Sequence, residues 1–265
     1  MHRLASAAAS TLVALLAASC SKKEDAAGLA PAASALAVSK TDSASTAWHY
    51  MIDPASRTHV DMPGVKEHIK GDTAAAAGTL DVMAHDLAQS RGLVRIDLST
   101  FATHTFGTND DATQTEHALT WLEVSVGDKT REEMRWADFA IRAVTPNVSD
   151  LTKIEPVKDG ADDVRKVTMT VHGDVLVHGH RVEKDGVVDV AFRYPSGAAP
   201  DSRPAKIQIQ SKEPMHLVLK ELDVRPRDPA GQLLDWTTKL ISKVAETADV
   251  TVDLVAIPAP ATAAQ

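Results

Sequence analysis

The sequence predicts an all-β fold: about seven or eight antiparallel strands closed into a sandwich or barrel, with two helical insertions. Three observations predict it. Most segments between Trp48 and Ile257 alternate apolar and polar residues with period two, so each strand has one buried face and one face in water. Strands of that kind are best satisfied when the sheet closes, because closure removes exposed edges. All ten aromatic residues fall between Trp48 and Trp236, which puts the start of the folded domain near Trp48.

The strands follow in order. In RGLVRIDLS, Val94, Ile96 and Leu98 share one face, with Arg95 and Asp97 on the other. Phe139, Ile141 and Ala143 do the same in DFAIRAV, with Arg142 facing away. Val167, Met169, Val171, Val175 and Val177 line one side of VTMTVHGDVLV. Lys184-Asp185-Gly186 then reads as a turn that makes a hairpin with Val188, Val190 and Phe192. Ile207 and Ile209, Leu217 and Leu219, and Val250, Val252 and Leu254 complete the set. Two segments break the period. Residues 113–123 hold Ala118, Leu119 and Leu122 at helical spacing, with Asp110 and Asp111 as candidate caps. Residues 230–246 put Leu233, Leu240, Ile241 and Val244 on one stripe after Pro229, a residue suited to a helix start.

Composition bounds the function. The chain has 265 residues, 28 Lys+Arg against 36 Asp+Glu, and a net charge of -8. A phosphate-neutralising surface needs a basic excess, so no nucleic-acid partner is expected. One cysteine excludes an internal disulfide framework and any multi-cysteine metal site.

Residues 1–19 read as a secretory signal: Arg3 supplies the positive region, and Leu4 to Ala18 an apolar run too short to span a membrane. The run ends in Leu16-Ala17-Ala18-Ser19-Cys20, which resembles the lipobox of bacterial lipoproteins. That resemblance implies acylation of Cys20 and a membrane anchor, with Ser21 pointing to the outer membrane. Ala17 departs from the Leu favoured at its position, and the alternative is a plain cleavage site before an incidental cysteine. Residues 20–46 are Ala/Ser-rich without aromatics and read as a flexible tether; residues 47–258 form the domain and 259–265 a frayed tail.

Catalytic signatures are missing: there is no Gly-x-Ser-x-Gly elbow, no His-Glu-x-x-His helix and no phosphate-cradling glycine loop. The chain is therefore expected not to be an enzyme and to have no catalytic residues and no cofactor. His172, His178 and His180 share one parity, but along a strand the far pair lies about 26 Å apart, too far for one metal ion. They read as surface or structural histidines, and no metal site is expected. Asp110/Asp111, Glu132/Glu133 and Asp162/Asp163 read as solubilising charge, since a catalytic pair needs one desolvated carboxyl. Arg225 and Arg227 read as a solvated loop, with a guard at a cavity mouth as the alternative.

Several pieces, in order, resemble the YceI-like family of secreted bacterial proteins. They are Trp48-His49-Tyr50-Met51-Ile52-Asp53-Pro54 with His59-Val60, Ile96-Asp97-Leu98-Ser99-Thr100-Phe101-Ala102-Thr103, Trp121-Leu122-Glu123-Val124, and Gly173-Asp174-Val175-Leu176-Val177-His178-Gly179. Two family elements are absent: Thr113-Gln114-Thr115-Glu116-His117 lacks the Arg-Asp pair, and Asp223-Val224-Arg225-Pro226-Arg227-Asp228 replaces an Asp-Phe-Gly segment. The resemblance implies a lipocalin-like β-barrel that binds a polyisoprenoid or other long-chain lipid. Val94, Ile96, Phe139, Ile141, Val175, Val177, Val190 and Val252 are then the expected lining. Small aliphatic filling is equally compatible with a packed barrel that serves as a structural or protein-interaction module of the cell envelope.

Overall fold

Alternating sequence becomes strand almost throughout the computed structural model, which describes residues 36, 47–64, 68–126, 129–234 and 245–260. In chain order the strands are β1 (Trp48–Ile52), β2 (Arg57–Pro63), β3 (His68–Thr73), β4 (Ala76–Val82), β5 (Arg91–Asp97), β6 (Ala102–Thr103), β7 (Ser125–Val126) and β8 (Lys129–Thr130). They continue as β9 (Trp136–Pro146), β10 (Val157–Asp159), β11 (Asp162–Val177), β12 (His180–Pro195), β13 (Lys206–Ser211), β14 (Met215–Val218) and β15 (Thr247–Pro258). Eight of them form a ring in the order β1, β4, β5, β9, β11, β12, β13, β15, closed where Tyr50 of β1 meets Pro258 of β15. All pairings are antiparallel, so the closed barrel leaves the ring strands no free edge. Beyond the ring, β2, β3 and β6 extend the sheet from β15, and β14 pairs with β15 alongside β13. The expected signal segment, Cys20 and nearly all of the tether lie outside the described residues. Leu36, within the expected tether, is buried against Ala140 and Leu176 on the outer wall.

The longest hairpin corrects one sequence expectation. β11 and β12 each run 16 residues, paired from Asp162 opposite Pro195 to Val177 opposite His180. Lys184-Asp185-Gly186 is therefore continuous strand, and the reversal falls at His178-Gly179, with φ of +54° and +75°. Two successive left-handed residues make the tight turn whose twist matches the flanking strands. Lys184-Asp185-Gly186 carries turn-type residues, but the alternation of Val182, Gly186, Val188 and Val190 continues through it. A second correction lies in β9, where pairing to β11 skips Arg142: His172 faces Ala143 and Gly173 faces Ile141. The extra residue shifts the alternation by one, so Val144, not Ala143, continues the inner face of Phe139 and Ile141.

The α-helix α1 (Thr108–Trp121) starts earlier than residue 113. Its N-cap is Gly107, and Asp110 and Asp111 do not cap it. Asp111 instead accepts the backbone N–H groups of Thr105, Phe106 and Gly107 at 2.7, 3.0 and 2.8 Å, which ties down the loop that enters the helix. These bonds hold its carboxyl below the usual range. Of the second expected helix, residues 235–244 lie outside the described residues. The stretch before them is a turn and a bridge between Arg227 and Leu233 rather than helix. At the tail, Ala259 still donates to the His49 carbonyl at 2.9 Å, and 261–265 lie outside the described residues.

The two ends of the barrel close differently. At the end bearing the β12–β13 connection, Tyr50 and Tyr194 are buried and each lies under a guanidinium, Arg203 at 4.8 Å and Arg165 at 4.7 Å. Tyr50 donates to the Pro204 carbonyl and Arg165 to the Pro200 carbonyl, both at 2.8 Å. Leu87 and Leu151 are fully buried beside them. At the other end lie α1, the β11–β12 turn and a short 3-10 turn, Leu219–Leu222.

Candidate binding cavity

The ring encloses a cavity of about 570 Å³, inside the range of roughly 300–1,000 Å³ common for small-molecule sites. Val94, Ile96, Phe139, Ile141, Val175, Val177, Val190 and Val252 all lie on its wall, because period-two alternation sends one side chain in two toward the axis. Val94, Val175, Val177 and Val190 are buried, whereas Ile96, Phe139, Ile141 and Val252 are half-buried although they point inward. These four pack against the core clusters on one side and border the cavity on the other. A closed ring lined by short aliphatic side chains is not filled from within, and the barrel is hollow rather than packed. Trp121 of α1, Leu122 just after it and Leu222 of the 3-10 turn complete the wall at one end. Among the described lining residues only His117, on α1, and Glu213, between β13 and β14, are exposed.

Charge is kept behind the wall at that same end. His178 Nε2 hydrogen-bonds to Glu123 Oε2, and His178 Nδ1 lies 4.0 Å from Asp223 Oδ2. Arg131 reaches Glu123 at 2.7 Å, Arg227 reaches Asp223 at 2.9 Å and Glu123 at 3.4 Å, and Arg225 pairs with Asp223. The His178 side chain is 2% exposed, Asp223 7% and Arg227 8%. Burial pushes the His178 imidazole below its ordinary value, against the opposing pull of Glu123.

The expected loop reading of Arg225 and Arg227 is thereby corrected: both guanidiniums are drawn in by Asp223. Of the three histidines considered as a metal set, His172 pairs outward with Asp185 at 2.7 Å, while His178 and His180 have ring centres 6.0 Å apart. Among the described residues no group of three or more His, Cys, Asp or Glu side chains is placed to hold a metal ion. Asp111 ties down the loop before α1 as above, Asp110 is exposed, Glu132 and Glu133 pair with Arg135 and Arg131, and Asp162 and Asp163 with Arg193 and Lys158.

Sequence reasoning missed Glu123 and Asp223 as partners of His178. A signal existed: Leu119-Thr120-Trp121-Leu122-Glu123-Val124 and Leu219-Lys220-Glu221-Leu222-Asp223-Val224 share the pattern Leu-x-x-Leu-acid-Val. In both, the valine N–H returns to the first leucine carbonyl at 3.0 and 2.9 Å, and the acid N–H to the second residue's carbonyl, a helix stop that normally uses glycine.

No protein-family model matches this sequence, and no curated protein matches it. Among solved structures, the chain is similar to Burkholderia cenocepacia BcnA, with a TM-score of 0.48 and 14% identity over 77% of this chain and 98% of that one. It is also similar to a polyisoprenoid binding domain from Saccharophagus degradans implicated in plant cell wall breakdown. There the TM-score is 0.44 and the identity 15%, over 79% of this chain and 98% of that one.

Proposed function

We propose that the protein is a non-catalytic carrier that holds one long apolar chain, a polyisoprenoid or a fatty lipid, inside the barrel. It does so as an envelope lipoprotein anchored through acylated Cys20 and facing the periplasm from the outer membrane. The observation that carries the reading is the hollow aliphatic interior of about 570 Å³. Apolar surface left facing a void is stabilised by roughly 25 cal/mol for each Å² that a ligand removes from water. The wall offers an apolar chain contact along its length and few polar groups to orient a compact polar substrate.

Val177→Trp tests it. Filling the lumen abolishes binding of an apolar fluorophore such as N-phenylnaphthylamine while the β-sheet circular dichroism is kept. A folded Val177→Trp protein that binds the probe as the parent does contradicts the reading. The anchor has its own test: Cys20→Ser moves the protein from the detergent phase to the aqueous phase on partitioning, and unchanged partitioning refutes it.

A further inference from the structure

Glu123, His178 and Asp223 are the only non-glycine residues with positive φ among the described residues, at +54°, +54° and +53°. Each sits where glycine or asparagine is the ordinary choice, at two helix stops and one tight turn. Left-handed backbone costs a side-chain-bearing residue stability, and such strain gathers where function over-determines the structure. Here the three strained residues also lie together: His178 bonds Glu123, its Nδ1 is 4.0 Å from Asp223, and Arg227 reaches both carboxylates. Their chain neighbours Leu122, Val177, Leu222 and Val224 face the cavity, so each left-handed residue turns its ionisable side chain behind the wall its neighbours form.

We propose that Glu123, His178 and Asp223 form a proton-operated clasp on the three segments that close this end of the cavity, shut while His178 is neutral and released when it takes up a proton. The inference rests on the cavity being the binding site. Five charged groups face His178: Glu123 after α1, Asp223, Arg225 and Arg227 on the segment after the 3-10 turn, and Arg131 after β8; neutral His180 lies beside it at the start of β12. Arg131 is shared between Glu123 and Glu133, so three guanidiniums already answer three carboxylates, and an imidazolium adds a positive charge that these pairs leave unmatched. The added proton goes on Nδ1, which has no hydrogen-bond partner among the described residues and lies 4.0 Å from Asp223 Oδ2, beyond bonding distance. Burial of an extra charge is relieved by swinging the ring into water, which parts the three segments.

The test uses the full chain loaded with N-phenylnaphthylamine, with release into phosphatidylcholine vesicles followed from about pH 7.5 to about pH 5.5, the range in which histidine titrates. Release accelerates about tenfold on acidification across that range. His178→Asn, which tolerates the left-handed turn and does not titrate, shows a flat profile. His178→Gln serves the same purpose if that variant does not fold. A wild-type rate independent of pH, or a variant that keeps the wild-type profile, overturns the proposal. If the probe enters at no pH, the carrier reading fails on its own, and amide exchange at Val124, Gly179 and Val224 decides the clasp. Corrected for intrinsic pH dependence, acid-accelerated exchange in the wild type alone supports the clasp, and equal exchange in wild type and variant overturns it.

Discussion

The barrel closes one end with tyrosines stacked under arginines and the other with ion pairs around a buried histidine. At the first, Tyr50 and Tyr194 stack under Arg203 and Arg165, and the hydrogen bonds run to the carbonyls of Pro204 and Pro200. Burial raises both phenols further above their ordinary range, so these contacts persist across physiological pH. At the second, arginines again take part, but they meet the carboxylates of Glu123 and Asp223 around a buried imidazole. The same residue type thus serves one end through stacking and the other through ion pairing. The difference lies in what the guanidinium faces.

Substitutions break or sharpen this contrast. Leu151 is fully buried at the plugged end and does not line the cavity, so Leu151→Ala lowers stability by about 2–5 kcal/mol in denaturant unfolding while probe affinity is kept. Val177→Trp, on the cavity wall, costs about 1–3 kcal/mol from overpacking and removes binding, the reverse weighting. A smaller effect separates the ends by pH. The folded-state pKa of His178 is depressed, so below the ordinary imidazole value of about 6.5 the unfolded chain binds a proton that the folded chain refuses. Stability is then lost as pH falls from about 6.5 toward the folded pKa, and unfolding of His178→Asn lacks that component. Least of all, His59→Ala removes an outward cross-strand pair with Asp72 at 2.6 Å and changes stability by within about 0.5 kcal/mol.

The strands and the wall were legible because both follow from a local rule. Period-two alternation fixes which side chains share a face, and residues as distant as Val94 and Val252 reach one cavity by that rule alone. It failed where a single backbone event reset it: the extra residue at Arg142 moved the inner face from Ala143 to Val144. The turn was misplaced because Lys184-Asp185-Gly186 has turn chemistry, whereas His178-Gly179 takes a positive φ at a histidine. The cluster behind the wall was hidden for another reason. Glu123 and Asp223 lie far from His178 in sequence, and only closure of the barrel end brings them together.

The central claim is that the barrel carries one apolar chain. Its most direct test is the native mass spectrum of the Cys20→Ser protein purified from bacteria without detergent, followed by solvent extraction and identification of any released lipid. A one-to-one adduct with a polyprenyl or fatty chain is the predicted result. A bare mass that persists after incubation with both kinds of lipid contradicts the account and makes the hollow barrel a scaffold for a protein partner.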